Sequence, residues 1–254
     1  DLRFPFTILV VDDNPDMTDF LKRTFEGYFK RIIIAGDGGE ALQLVRSHVP
    51  DIIVSDVMMP RMNGYKLCKT IKEDINISHI PVILLTARDD RQSQISGYKN
   101  GADGYLSKPF EVEMLMELIR NRLKNREYTK KRYLNAGLIP TPEESTISLT
   151  DETFLIKLNS IIQENIENSN LGIQFICQEV GLGRSSLYNK LKALTGMGAN
   201  EYISKLRIEK AITLISGTDM PFSEIAEKTG FTTPSYFSTA FKQYTGETPS
   251  QYKE

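Results

Sequence analysis

Four short apolar runs and a fifth strand-like stretch alternate with stretches of helical period in the first half of this chain, and that alternation limits the fold more than any other feature. The runs are FTILVVDD (residues 6–13), RIIIA (31–35), DIIVSD (51–56) and PVILLTA (81–87), and the fifth stretch is residues 103–107. Between them, Asn14-Pro15 opens a helix whose apolar positions Met17, Phe20, Leu21, Phe25 and Tyr28 recur every three or four residues. Further helices are expected after the Gly36-Asp37-Gly38-Gly39 turn (Glu40 to Val49) and over Tyr65 to Lys72, Arg91 to Lys99 and Phe110 to about Asn125. Strands that are near-continuously apolar need cover on both faces. Strand–helix alternation supplies it, so the pattern predicts a doubly wound α/β domain with a five-stranded parallel sheet.

Such a sheet gathers its strand ends along one rim, where open α/β sheets place their ligands. The ends of the first, third, fourth and fifth strands carry Asp12 and Asp13, Asp56, Thr86 and Lys108. Three carboxylates in one crevice repel each other. A divalent cation relieves that repulsion, and donors that are all oxygen favour Mg²⁺ over zinc. Lys108 adds a second positive centre. A carboxylate nucleophile, a metal and a neighbouring ammonium are what phosphoryl transfer needs.

The strand signals stop near Thr150, and 254 residues leave room for a second domain. A charged helical extension, RNRLKNREYTKKR (120–132), leads into residues 126–150, which read as a connection and hold the Gly- and Pro-containing LNAGLIPTPEESTIS (134–148). Asp151 to Ile166 is an amphipathic helix that Thr150 or Asp151 can cap. Two units of one form follow, joined by a long helix over 200–216. IQFICQEVGLGRSSLYNKLKALTG turns at Gly181-Leu182-Gly183, and MPFSEIAEKTGFTTPSYFSTAFKQYTG turns at Gly230-Phe231. Helix, short glycine turn and helix is the helix-turn-helix arrangement. Charge alone does not announce nucleic acid, because residues 151–254 hold 10 Lys and Arg against 12 Asp and Glu. The distribution does more: Arg184 to Lys192 contains three basic residues and no acid, and Lys205, Arg207 and Lys210 lie in the connecting helix.

The residues VVDDNPDM, SDVMMPRMNGY, LLTA and GADGYLSKPF make 6–124 resemble the receiver domain of two-component response regulators, a flavodoxin-like fold. GFTTPSYFSTAFKQYTGETPSQYK makes the second half resemble the AraC family of transcription regulators. The resemblance implies a receiver over 1–125, a linker over 126–150 and an AraC-type double helix-turn-helix domain over 151–254. It further implies that Asp56 accepts a phosphoryl group from a histidine kinase. Asp12, Asp13 and the Met58 backbone carbonyl would hold Mg²⁺ together with Asp56, while Thr86 and Lys108 would bind the phosphoryl group. Lys108-Pro109 would be cis, and Tyr105 would act as an aromatic switch turning inward with Thr86. In the DNA-binding half, Arg184, Ser185, Ser186, Tyr188, Asn189 and Lys192 of the first recognition helix should face double-stranded DNA. So should Ser235, Ser238, Thr239 and Lys242 of the second, with Asn189 suited to pair with adenine.

The function expected is a phosphorylation-regulated, sequence-specific DNA-binding transcription regulator that forms a homodimer when phosphorylated, with RNA polymerase as a further contact. It is expected to be no enzyme beyond its own phosphoryl transfer and dephosphorylation. The alternative is a phosphotransfer or protein-interaction module whose helical half binds protein. Met58 and Arg88 flank the pocket, and an apolar Met58 cannot orient an attacking water, so slow self-dephosphorylation is expected. Only Cys68 and Cys177 are present, and no apolar run approaches a bilayer span. Cytoplasmic location without membrane insertion follows as an expectation. A start at Asp1 fits either the C-terminal part of a hybrid sensor or a trimmed regulator.

Overall fold

The computed structural model describes residues 4–87, 101–135 and 148–253. The chain divides into two compact units, the first made mostly of residues up to 129 and the second mostly of residues from 152. The helix expected over Arg91 to Lys99, Arg88 and residues 136–147 of the proposed linker lie outside the described residues.

In the first unit, β1 (Phe4–Val11), α1 (Pro15–Phe25), β2 (Phe29–Ala35), α2 (Gly38–His48), β3 (Ile52–Asp56), α3 (Gly64–Glu73), β4 (Val82–Thr86) and β5 (Gly104–Ser107) follow in order, and α4 (Val112–Asn135) closes it. The five strands are parallel in the order β2-β1-β3-β4-β5, the doubly wound topology that the alternation predicted. The β3 and β4 strands are buried along their whole length, which is why they read as unbroken apolar runs. One face of the sheet packs Leu9, Val11, Ile53 and Leu84 against α2 and α3 residues such as Val45, Leu67 and Ile71. The other packs Ile8, Val10, Val54 and Leu85 against Leu21 and Phe25 of α1 and Leu115 and Ile119 of α4.

Sequence and structure differ at element ends. Helix α1 stops at Phe25, leaving Tyr28 outside it, whereas α4 continues through the expected charged extension, as far as Asn135.

The second unit is helical: α5 (Leu149–Glu164), α6 (Ile173–Val180), α7 (Arg184–Thr195), α8 (Ala199–Gly217), α9 (Phe222–Lys228), α10 (Pro234–Thr245) and α11 (Pro249–Lys253). Helix α5 starts two residues early, and the Ser148 hydroxyl, not Thr150 or Asp151, takes the first-turn N–H of Asp151 at 3.2 Å. The α6–α7 and α9–α10 pairs are the two helix-turn-helix units. Phe154, Leu158, Ile176, Leu187 and Leu191 are buried around the first, and Ile208, Ile225, Phe231, Phe237 and Phe241 form the core of the second. Among the described residues, no helix is long and apolar enough to cross a membrane.

Candidate functional site

The rim of the sheet brings two of the three predicted acids, Asp12 and Asp56, onto one lysine. Asp56 ends β3 and Asp12 follows β1, both nearly buried at 6% and 3% exposure. Lys108, which follows β5, places its Nζ 2.6 Å from Asp56 Oδ1 and 2.9 Å from Asp12 Oδ2. The other oxygens are held too: Met58 N–H donates to Asp56 Oδ2 at 2.7 Å, and Asn14 N–H donates to Asp12 Oδ1 at 2.9 Å. Burial disfavours the Lys108 ammonium, but the hydrogen bonds and charges of Asp56 and Asp12 outweigh it and raise its pKa above the ordinary lysine value.

Backbone pairing fixes these positions. Val57 N–H donates to Leu85 O at 2.8 Å and Lys108 N–H to Thr86 O at 2.6 Å, so the ends of β3, β4 and β5 stay in step. Thr86 is buried at the end of β4. The Lys108-Pro109 peptide is cis, as the resemblance implies. Asp13 and Met58 are exposed, Met58 at 61%. Lys108 stands between Asp12 and Asp56, and among the described residues no three acidic, histidine or cysteine side chains close on one point. The donors available, Asp12, Asp13, Asp56 and the Met58 carbonyl, are nonetheless all oxygen, which fits a hard cation such as Mg²⁺.

Two neighbours were missed at sequence level. Asp37 caps α2, accepting from Gly39 N–H at 2.7 Å and Glu40 N–H at 3.0 Å, and pairs with Arg61, which has positive φ. The Asp-Gly-Gly turn signalled the cap, while nothing in sequence signalled the partner. Tyr65, in the first turn of α3, reaches Tyr105.

Both cysteines are buried and unbridged. Burial pushes the Cys68 thiol up to about 12, which makes it a poor nucleophile.

In the helical unit, Arg184, Ser185, Tyr188 and Lys192 on α7 and Ser235, Thr239 and Lys242 on α10 are exposed, whereas Ser186, Asn189 and Ser238 are half-buried. The Ser238 and Thr239 hydroxyls donate back to Pro234 O and Ser235 O, leaving them as acceptors toward a ligand. Tyr236 is 53% exposed with its ring against Phe231. Aligning the two Thr-Gly helix ends, 195–196 and 245–246, puts Tyr236 level with Ser186 and reveals this in the sequence itself. Tyr236, Thr239 and Gln243 line a cleft of about 400 Å³ against Asn200, Ser204 and Lys205 of α8.

The basic residues divide differently from the expectation. Lys190 is fully buried, 5.1 Å from the Phe154 ring centroid. Lys205 is buried beside Glu209 at 3.7 Å; burial lowers its pKa and raises that of Glu209. Arg207 donates to Asn168 O at 2.7 Å and lies 5.9 Å from the Phe231 ring centroid. These cations hold helices together. Arg184, Lys192 and Lys242 remain on the surface of the recognition helices.

An α/β unit with a lysine-bridged pair of acids at its strand ends, followed by paired helix-turn-helix units, defines a class of signalling protein. The model of the response regulator receiver domain matches residues 8–120 and that of a helix-turn-helix domain matches residues 176–254. The chain belongs to the two-component response regulators, as a receiver domain fused to an AraC-type helix-turn-helix DNA-binding domain. It is 41% identical over 247 residues to histidine kinase P4 of Formosa agariphila, covering 97% of this chain but 18% of that protein. It is 36% identical to the response regulator MprA of Mycobacterium sp. strain KMS, over 60% of this chain and 70% of that one. The receiver domain of the Francisella response regulator 1452 is 38% identical, with 47% of this chain and 97% of that chain covered and a TM-score of 0.43. The chain thus spans less than a fifth of the length of the kinase it matches.

Proposed function

We propose that the protein accepts a phosphoryl group from a kinase phosphohistidine on Asp56 and so controls sequence-specific DNA binding by its helical half. The observation that carries this reading is Asp56 itself, buried at the end of β3 with one oxygen on Lys108 and the other on the Met58 N–H. In the transfer, an Asp56 oxygen forms a bond to phosphorus while the phosphorus–nitrogen bond of the phosphohistidine breaks. The imidazole leaves with the electron pair. Mg²⁺ bound by Asp12, Asp13, Asp56 and the Met58 carbonyl would neutralise charge on the phosphoryl oxygens. Lys108 stays beside the new phosphate as its counter-charge, and Thr86 donates to it. The added charge, roughly −1.5 to −2, draws Thr86 and Lys108 inward and with them the ends of β4 and β5. Tyr105 on β5 follows as the switch.

The receiver boundaries of 1–125, the linker over 126–150 and the DNA-binding domain over 151–254 belong to this proposal, as do pairing of phosphorylated chains and contact with RNA polymerase. Pairing matters because two weakly bound recognition units gain affinity when joined. The exposed, apolar Met58 on the pocket rim is expected to leave the phosphate with a lifetime well beyond seconds.

The test is Asp56→Asn. Wild type is expected to gain DNA affinity on phosphorylation with acetyl phosphate and Mg²⁺, read by footprinting across its upstream regions, and the variant is expected to gain none. Equal stimulation of the variant overturns the reading. The burial of Lys190, Lys205 and Arg207 favours a second reading, in which the helical half binds a protein. No footprint on any upstream region, phosphorylated or not, decides for it.

A further inference from the structure

The Tyr105 hydroxyl lies 3.4 Å from that of Tyr65. Both rings are half-buried, and both pack on the apolar cluster that includes Val57, Leu67 and Leu84. Tyr65 is not loosely held. The preceding Gly64 donates its N–H to Val57 O at 3.0 Å, and a Cβ at Gly64 would run into the carbonyl oxygen of Asp56. The first turn of α3 therefore sits directly against the residue that ends β3. A movement of the Asp56 loop has two routes to β5: through Thr86, whose carbonyl accepts from Lys108 N–H, and through Gly64 and Tyr65.

We propose that Tyr65 is a positioning residue for the switch: its hydroxyl holds Tyr105 against the apolar cluster and so raises the fraction of chains ready to accept a phosphoryl group. This rests on the reading of Tyr105 as the switch. A ligand or donor sees a conformational equilibrium through the populated competent fraction, so a hydroxyl pair that biases Tyr105 changes the rate of Asp56 labelling. One hydrogen bond corresponds to a change of about three- to fivefold.

The experiment follows labelling of the full chain by acetyl phosphate with Mg²⁺ on phosphate-affinity gels. The variants are Tyr65→Phe, Tyr105→Phe, Tyr105→Ala and the doubles Tyr65→Phe/Tyr105→Phe and Tyr65→Phe/Tyr105→Ala. Tyr65→Phe is expected to slow labelling about three- to fivefold. The double phenylalanine variant should be no slower than the slower single, and Tyr65→Phe should have no effect when Tyr105 is already alanine. A purely structural role for Tyr65 would slow labelling equally in both backgrounds, and that result overturns the proposal. If Tyr105→Ala slows labelling while Tyr65→Phe behaves as wild type, the switch stands and the positioning role falls. If Tyr105→Ala labels at the wild-type rate, the switch reading itself fails and takes this proposal with it.

Discussion

Lys108 sets the resting electrostatics of the pocket, because it bridges Asp12 and Asp56. Its raised pKa means that these ion pairs are fully present below the ordinary lysine value and are lost only as pH climbs through the raised one. Neutral-range pH changes should therefore leave the bridge alone. Lys108→Met leaves two buried carboxylates facing each other. An ammonium about 4 Å from a divalent cation repels it by about 2 kcal/mol under water-like screening, so Mg²⁺ should bind roughly thirtyfold more tightly to the variant, by titration calorimetry. Unchanged or weaker binding would mean that these acids are not the metal's donors. Asp37 has the opposite sign. The Glu40 N–H bond is the main influence lowering its pKa, with Gly39 N–H and Arg61 adding to it against burial. A lowered carboxylate contributes stability above its unfolded pKa and loses it as pH falls through the folded one. Asp37→Ala should thus cost about 1 kcal/mol near pH 7, and the deficit should shrink as the medium is acidified below the ordinary carboxylate range. Urea unfolding at a series of pH values measures this, and a deficit independent of pH would exclude the charged cap.

The two helix-turn-helix units look alike in sequence, yet their turns carry different loads. Gly181 and Gly230 both have positive φ, at 75° and 72°. A Cβ on Gly181 meets open space, whereas one on Gly230 would strike Ile166 O and come within 2.9 Å of Arg207 Nη2. Gly181→Ala should cost about 1–2 kcal/mol, the backbone strain alone. Gly230→Ala should cost more by about 1–3 kcal/mol, since neither a backbone oxygen nor an anchored guanidinium can give way easily. Thermal unfolding of the two variants compares them, and equal losses would refute the packing account. This asymmetry marks what the sequence could and could not disclose. Apolar runs state their own burial, so five strands, their parallel direction and the acids at their ends were all legible, while the strand order came from the fold. The turns were legible too, because glycine in a helix-turn-helix spacing has few alternatives. The partners of side chains from distant segments were not. Arg61 with Asp37, Tyr65 with Tyr105 and Arg207 with Asn168 are brought together by the folded chain, and no local period encodes them.

At the scale of the molecule, the consequential finding is where the cations went. The chain is net −2, and residues 151–254 have more acidic than basic side chains, so DNA affinity depends on the few cations that reach the surface. Lys190, Lys205 and Arg207 are consumed by helix packing, and Arg184, Lys192 and Lys242 are left exposed on the recognition helices. Each phosphate neutralised by a cation releases a counterion, and the logarithm of affinity falls with the logarithm of salt by about 0.9 per contact. One chain should therefore show a slope of about −3, and a phosphorylated pair about twice that. Lys192→Ala and Lys242→Ala should each flatten the single-chain slope by about 1 and weaken binding to all sequences alike. Arg207→Met should leave the slope unchanged. Its effect should appear in stability, because it strips a buried donor from Asn168 O and exposes the packing around Gly230. Filter binding across a salt series, with thermal melting of the same samples, separates the two kinds of cation. A flattened slope in Arg207→Met, with its melting point intact, would show that the connecting helix touches DNA and that Arg207 is not a packing cation.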